Sequence, residues 1–172
     1  DVVTNNCCSN GYYLSISAVD FDNDGNVDIA ALNAFGTVAL LKGDGAGNFN
    51  QLADAQAPTA GVFFSDMAVG DVDGDNNADF ILTDANNNTN QMVSVLKGNG
   101  DGTFQAPSGF TMDRSPMQIV TSDFNNDGAI DFASVNSAAN NVTVVLNNSA
   151  FISVTGNTAL CTGDSVKLTA SN

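Results

Sequence analysis

Three nine-residue stretches hold most of the residues in this chain that can do chemistry. Asp20, Asp22, Asp24 and Asp28 occupy positions 1, 3, 5 and 9 of the first, with Gly25 at position 6. Asp71, Asp73, Asp75 and Asp79 repeat the frame 51 residues on, and Asp123, Asn125, Asp127 and Asp131 repeat it 52 residues after that. Alternate oxygens on a short, tight turn can converge on one hard cation, and a glycine lets the backbone take a conformation that a Cβ obstructs. The chemistry this points to is calcium ligation, about three Ca²⁺ in all, one per loop. Carboxylates about 4 Å apart repel by roughly 4 kcal/mol per pair at an effective dielectric of ~20, so four on one turn strain the loop unless a cation sits among them. The third loop carries one charge fewer, which predicts the weakest binding of the three.

The rest of the composition sets the surroundings of these loops. In 172 residues, nineteen acidic residues, all Asp, stand against four basic ones, for a net charge of -15. Eleven of the nineteen lie in the three loops, so the acidity is mostly local ligand charge. Nucleic-acid phosphates require a basic surface that this chain lacks, which excludes that partner class. With no His, no Ser-His or Cys-His pair can be assembled, and Arg114 is the single arginine; the expectation is a protein that is not an enzyme. A content of 43% hydrophobic and 13% charged residues describes a globular chain. No apolar run approaches the ~20 residues needed to span a bilayer, so membrane insertion is not expected. Calcium is millimolar outside cells, so multi-carboxylate calcium loops favour an extracellular or cell-surface setting. The cysteines, Cys7, Cys8 and Cys161, are odd in number and two are adjacent, which argues for a partner outside this segment. A chain that begins at Asp1 with no signal peptide reads as mature or truncated.

The loops need elements to position them, and the pattern around each is the same. Leu14 to Val19 alternates like a strand and leads into the first loop; Ile29 to Leu32 is a short apolar run leaving it; Thr37 to Lys42 follows a turn at Phe35-Gly36; and a glycine-dense turn ends at Phe49. The second repeat matches element for element through Phe64 to Gly70, Phe80 to Thr83, Met92 to Lys97 and a glycine turn ending at Phe104. The third has Met117 to Val120, Phe132 to Val135 and Val142 to Leu146, but Asn147-Asn148-Ser149-Ala150 replaces the glycine turn. Four short strands per ~50 residues without helical periodicity predict an all-β fold, a partial β-propeller with three four-stranded blades visible. Calcium-binding solenoids repeat at a far shorter spacing. An EF-hand requires flanking helices and a bidentate Glu at position 12, where this chain has Ala31, Leu82 and Ser134. Propellers close with roughly 4–8 blades, so residues 1–150 are expected to be the C-terminal part of a larger propeller. Residues 151–172 carry two strand-like runs without a calcium loop and are expected to open a C-terminal β-sandwich domain.

The three loops, each followed by an apolar strand, together with the glycine turns ending in Phe49 and Phe104, resemble the FG-GAP/VCBS family of repeats over about residues 12 to 151. The resemblance implies a calcium-binding propeller of the kind found in integrin α chains and bacterial surface proteins, with the loop joining the first and second strands of each blade. It also implies that the position-7 carbonyl joins the side chains at positions 1, 3, 5 and 9. The ligand sets become Asp20, Asp22, Asp24, Asp28 and the Asn26 carbonyl; Asp71, Asp73, Asp75, Asp79 and the Asn77 carbonyl; and Asp123, Asn125, Asp127, Asp131 and the Ala129 carbonyl. The tail from Ile152 is similar to the opening of Ig-like modules in large secreted bacterial proteins. The function these resemblances imply is a calcium-stabilised extracellular binding, adhesion or structural module of a large, multidomain secreted or surface protein of bacterial origin, with a glycan or a surface protein as partner. The alternative is a propeller part of a polysaccharide-degrading enzyme.

Overall fold

Apolar residues on both sides of each aspartate loop pair as antiparallel strands. The computed structural model describes residues 12–57, 63–84, 92–148 and 151–152. In the first repeat, β1 (Tyr13–Val19) enters the loop, β2 (Asp28–Asn33) leaves it, and β3 (Thr37–Gly43) returns after a tight turn; β4 (Phe49–Gln51) and β5 (Ala55–Gln56) both pair with β3. The second repeat runs β6 (Phe64–Gly70), β7 (Asp79–Asp84), β8 (Met92–Leu96) and β9 (Ser108–Thr111), in that spatial order. The third has β10 (Pro116–Ser122), β11 (Asp131–Asn136) and β12 (Asn141–Val145), after which β13 (Asn147–Asn148) pairs with β14 (Phe151–Ile152) in a separate two-stranded sheet. The fold is all-β, and its three meandering antiparallel sheets are blades of a partial propeller.

The four-strand expectation describes the second sheet as it stands. The first gains the short β5, and the third has three strands among the described residues. The difference lies where the glycine turn is lost. In the first blade that turn returns the chain against β3 at Phe49, and in the second it returns Phe104 to a bridge with Gly98. In the third, Asn147 and Asn148 turn into β13 instead. Beyond Phe151–Ile152, the expected sandwich opening lies outside the described residues, as do Cys7, Cys8 and Cys161.

The blades stack face to face. β7 is buried at all six of its positions because it lies in the middle sheet, so both faces of its side-chain alternation meet a neighbour. Phe80 and Leu82 point into a core shared with Ala30, Leu32, Val38 and Leu40 of the first blade. Ile81 points the other way, into a core shared with Ile119, Phe132 and Val145 of the third. The effect of a neighbour is visible at one repeat position, four residues before each loop. Met67 is 4% and Ile119 5% exposed, each facing the preceding blade, whereas Ile16, with no described blade before it, is 70% exposed. Where the first strands meet, Asp66 of β6 links all three sheets, accepting from Ser15 Oγ at 2.8 Å and from the Ile119 amide at 3.1 Å.

Candidate metal centre

Each loop closes on its own first aspartate. Asp20 accepts backbone N–H bonds from Asp24 and Gly25 at 3.2 and 2.8 Å; Asp71 accepts from Gly74, Asp75 and Asn76 at 2.7 to 3.1 Å; Asp123 accepts from Asp127 and Gly128 at 3.2 and 2.9 Å. These bonds require the chain to reverse over five residues, and it does so through two left-handed positions per loop. Positions 4 and 6 have positive φ in every copy: Asn23 and Gly25, Gly74 and Asn76, Asn126 and Gly128. The second loop therefore exchanges the two residue types that tolerate this conformation and leaves the backbone path unchanged. The recurrence of Asn or Gly at position 4 as well as at position 6 was the sequence signal for this pair of left-handed residues.

The ninth aspartates are fully buried, and each ties its loop to the far end of the third strand in its own blade. Asp28 accepts from the Phe21 and Gly43 amides, Asp79 from Val72 and Gly98, and Asp131 from Phe124 and Asn147, at 2.7 to 3.1 Å throughout. In each case one oxygen binds the second residue of the loop and the other binds the last residue of the third strand, Gly43, or the residue two beyond its end, Gly98 or Asn147. Burial, and secondarily the neighbouring loop carboxylates, pushes Asp28 above the ordinary carboxylate range and Asp79 up to about 6.

Between these anchors, the structure gathers carboxylates into two triads among the described residues. Oxygens of Asp20, Asp22 and Asp24 all lie within 4.8 Å of one another, and so do those of Asp71, Asp73 and Asp79. Asp75 instead turns both oxygens to Asn77, at 2.8 Å to its amide and 2.8 Å to its side chain. In the third loop, Asn125 and Asp127 bond one another, at 2.9 Å in both directions, and the Ala129 amide donates to Asp127 at 2.9 Å. Hydrogen bonding from the Gly128 amide holds Asp123 below its usual range. The side chains of Asn26 and Asn77 pack against Gly45 and Gly100 of the glycine turns, where a Cβ would collide with them. Asn77 also accepts a 2.8 Å bond from Asn23, which ties the first loop to the second.

Two residues that the loop motif did not point to complete the site. The Lys42 ammonium pairs with Asp22 and, at 2.8 Å, with Asp24; Lys97 pairs with Asp73 at 2.9 Å. Lys42, with its hydrogen bond first among the causes, lowers Asp24 from its ordinary value. The recurring Leu-Lys-Gly at the end of the third strand, Leu41 to Gly43 and Leu96 to Gly98, was the sequence signal.

The donor set fits a hard cation. It consists entirely of carboxylate, amide and carbonyl oxygen, the ligand type calcium takes. The Asp22 side chain is only 7% exposed, and its Oδ1 is the one buried side-chain oxygen among the described residues with no hydrogen-bond partner. An orphaned buried carboxylate oxygen is costly, and a cation beside it removes the cost.

A family model described as an FG-GAP-like repeat matches residues 20–82 and again 71–134, so that each match runs from one aspartate loop through the next. Repeats of this family are typical of extracellular or surface proteins. No curated protein matches the chain.

Proposed function

We propose that this chain, which belongs to the FG-GAP-like repeat family, is a calcium-stabilised propeller module of a secreted or cell-surface protein. Its role is binding, adhesion or spacing, without catalysis. The observation that carries the calcium reading is the Asp20, Asp22 and Asp24 triad, with its buried and unpartnered Asp22 Oδ1.

Residues of each loop would hold one ion: Asp20, Asp22, Asp24 and Asp28 with the Asn26 carbonyl; Asp71, Asp73, Asp75 and Asp79 with the Asn77 carbonyl; Asp123, Asn125, Asp127 and Asp131 with the Ala129 carbonyl. Bound calcium supplies positive charge to a turn whose carboxylates otherwise repel. The protein keeps the turn in shape beforehand: amide bonds to the first aspartate fix the reversal, and the buried ninth aspartate fixes the loop to the third strand. Such stiffened loops, at one end of each blade, are suited to present a surface to a glycan or another surface protein. Among the described residues no helix is long and apolar enough to cross a membrane. Residues 1–150 are read as blades of a larger propeller, and 151–172 as the start of a following Ig-like domain in a bacterial multidomain chain.

The test is a pair of thermal melts, one in millimolar calcium and one in chelator, followed by binding to a glycan array under both conditions. The module reading expects a higher melting temperature with calcium and binding that chelator removes. Identical melts overturn the calcium reading, and turnover of a bound polysaccharide overturns the non-catalytic one.

A further inference from the structure

The three loops differ in ligand charge, yet the lysines cancel the difference. The first and second loops carry four aspartates and a lysine ion-paired to them, Lys42 or Lys97. The third carries three aspartates and Asn125. The residue matching Lys42 and Lys97 is found through the ninth aspartate, since Gly43, Gly98 and Asn147 make the same amide bond to it. The residues just before them are Lys42, Lys97 and Leu146. The copy that loses a carboxylate therefore also loses the ammonium group, and all three loops have a net charge of three negative.

We propose that Lys42 and Lys97 are internal counter-cations of the first and second loops, set against the same carboxylates that bind calcium, and that they lower the calcium affinity of those loops toward that of the third. The proposal rests on the calcium reading above and says which residues tune it. An ammonium on a flexible stem is a compact point charge that can leave one carboxylate oxygen without the backbone moving. The third of Lys42 that remains exposed gives it room to do so. Asp22 divides its two oxygens accordingly: Oδ2 faces Lys42, while the buried Oδ1 has no partner and is left for the ion. Without calcium the lysine relieves part of the carboxylate repulsion; with calcium it competes for the same charge. The weakest-third-site ranking, drawn from ligand charge alone, gives way to three sites of similar strength.

The test is a calcium titration of the full 172-residue chain followed by amide NMR, in which Gly25, Asn76 and Gly128 report their own loops. Two exchanges are compared with the unaltered chain: Lys42→Leu, which installs the third blade's residue in the first, and Leu146→Lys, which does the reverse. Lys42→Leu is expected to lower the calcium midpoint at Gly25 by about fivefold and leave Gly128 in place; Leu146→Lys is expected to raise the midpoint at Gly128 by a similar factor. Midpoints unmoved in both variants, while the unaltered chain binds calcium, overturn the tuning role and leave the calcium reading standing. If one variant fails to fold, the other decides alone. No response at any of the three amides in the unaltered chain overturns the calcium reading, and the tuning role falls with it.

Discussion

Asp79 Oδ1 accepts the amide hydrogen of Gly98 at 2.8 Å, across nineteen residues, and so joins the end of an exposed loop to a residue two beyond the third strand of its blade. The other oxygen of Asp79 takes the Val72 amide at 2.9 Å. The same two-handed bond occurs at Asp28 and Asp131, so the ninth position is a structural pin with or without an ion. Replacing Asp131 by Ala leaves the Phe124 and Asn147 amides without their acceptor. The expected cost is about 2–4 kcal/mol in urea unfolding, from two orphaned donors at roughly 1–2 kcal/mol each. A loss below about 0.5 kcal/mol, typical of an unremarkable surface site, contradicts the pin.

Asp66 should be the residue whose loss uncouples the blades while leaving the loops intact. It bonds Ser15 in one neighbour and Ile119 in the other, and no aspartate loop touches it in these bonds. Asp66→Ala is expected to cost about 2–3 kcal/mol, since hydrogen bonds to a charged group contribute roughly 1.5–3 kcal/mol. Calcium midpoints at the loop amides should stay where they were. A shift in those midpoints larger than about twofold, with stability unchanged, contradicts this division of labour.

The raised Asp79 predicts an unusual pH profile. An ordinary aspartate titrates near 4, and Asp79 in the folded chain near 6, with burial as the main cause and the Asp73 and Asp75 charges adding to it. Between those values the folded calcium-free protein binds more protons than the unfolded chain, so its stability falls as pH rises from about 4 to about 6 and levels above that. Asp28 shifts in the same direction. Calcium takes the carboxylate form, so the stabilisation it brings grows over the same window. Urea midpoints measured in chelator and in calcium across this range should diverge as pH rises; curves that stay parallel contradict the assignment.

The left-handed positions make a prediction about backbone alone. No atom lies within 4 Å of a Cβ added at Gly25, so Gly25→Ala tests conformation and not space. It is expected to destabilise by about 1–2 kcal/mol, the cost of a left-handed conformation for a residue with a Cβ. Asn76→Gly, at the matching position with φ of 67°, should be neutral or stabilising by a few tenths of a kcal/mol, for which about 0.5 kcal/mol is the upper bound. Unfolding in excess calcium distinguishes the two; equal effects contradict the conformational account.

The sequence showed much of this because the repeat triples each signal. Alternation around the loops located β1, β2, β6, β7, β10 and β11, and the loops lie between those strands as the spacing required. What it could not show depends on neighbours. Ile16, Met67 and Ile119 are alike in type and repeat position, and only the stacking of blades makes the first exposed and the other two buried. The fourth strand of the third blade was expected by analogy, but Asn147 and Asn148 stand where the glycine turn is lost and pair with Phe151 and Ile152 instead, with the Asn147 side chain donating to the Val72 and Ile130 carbonyls. Lys42 and Lys97 were read as the ends of strands because their carboxylate partners lie about twenty residues back, and pairing at that distance is visible only once β2 and β3 are side by side.

Anomalous diffraction from a crystal grown in millimolar calcium tests the central claim most directly. The account predicts a peak at each aspartate loop, with the one in the first loop beside Asp22 Oδ1 and the Lys42 ammonium moved off at least one carboxylate. Loops without peaks, and Lys42 still between Asp22 and Asp24, would contradict it.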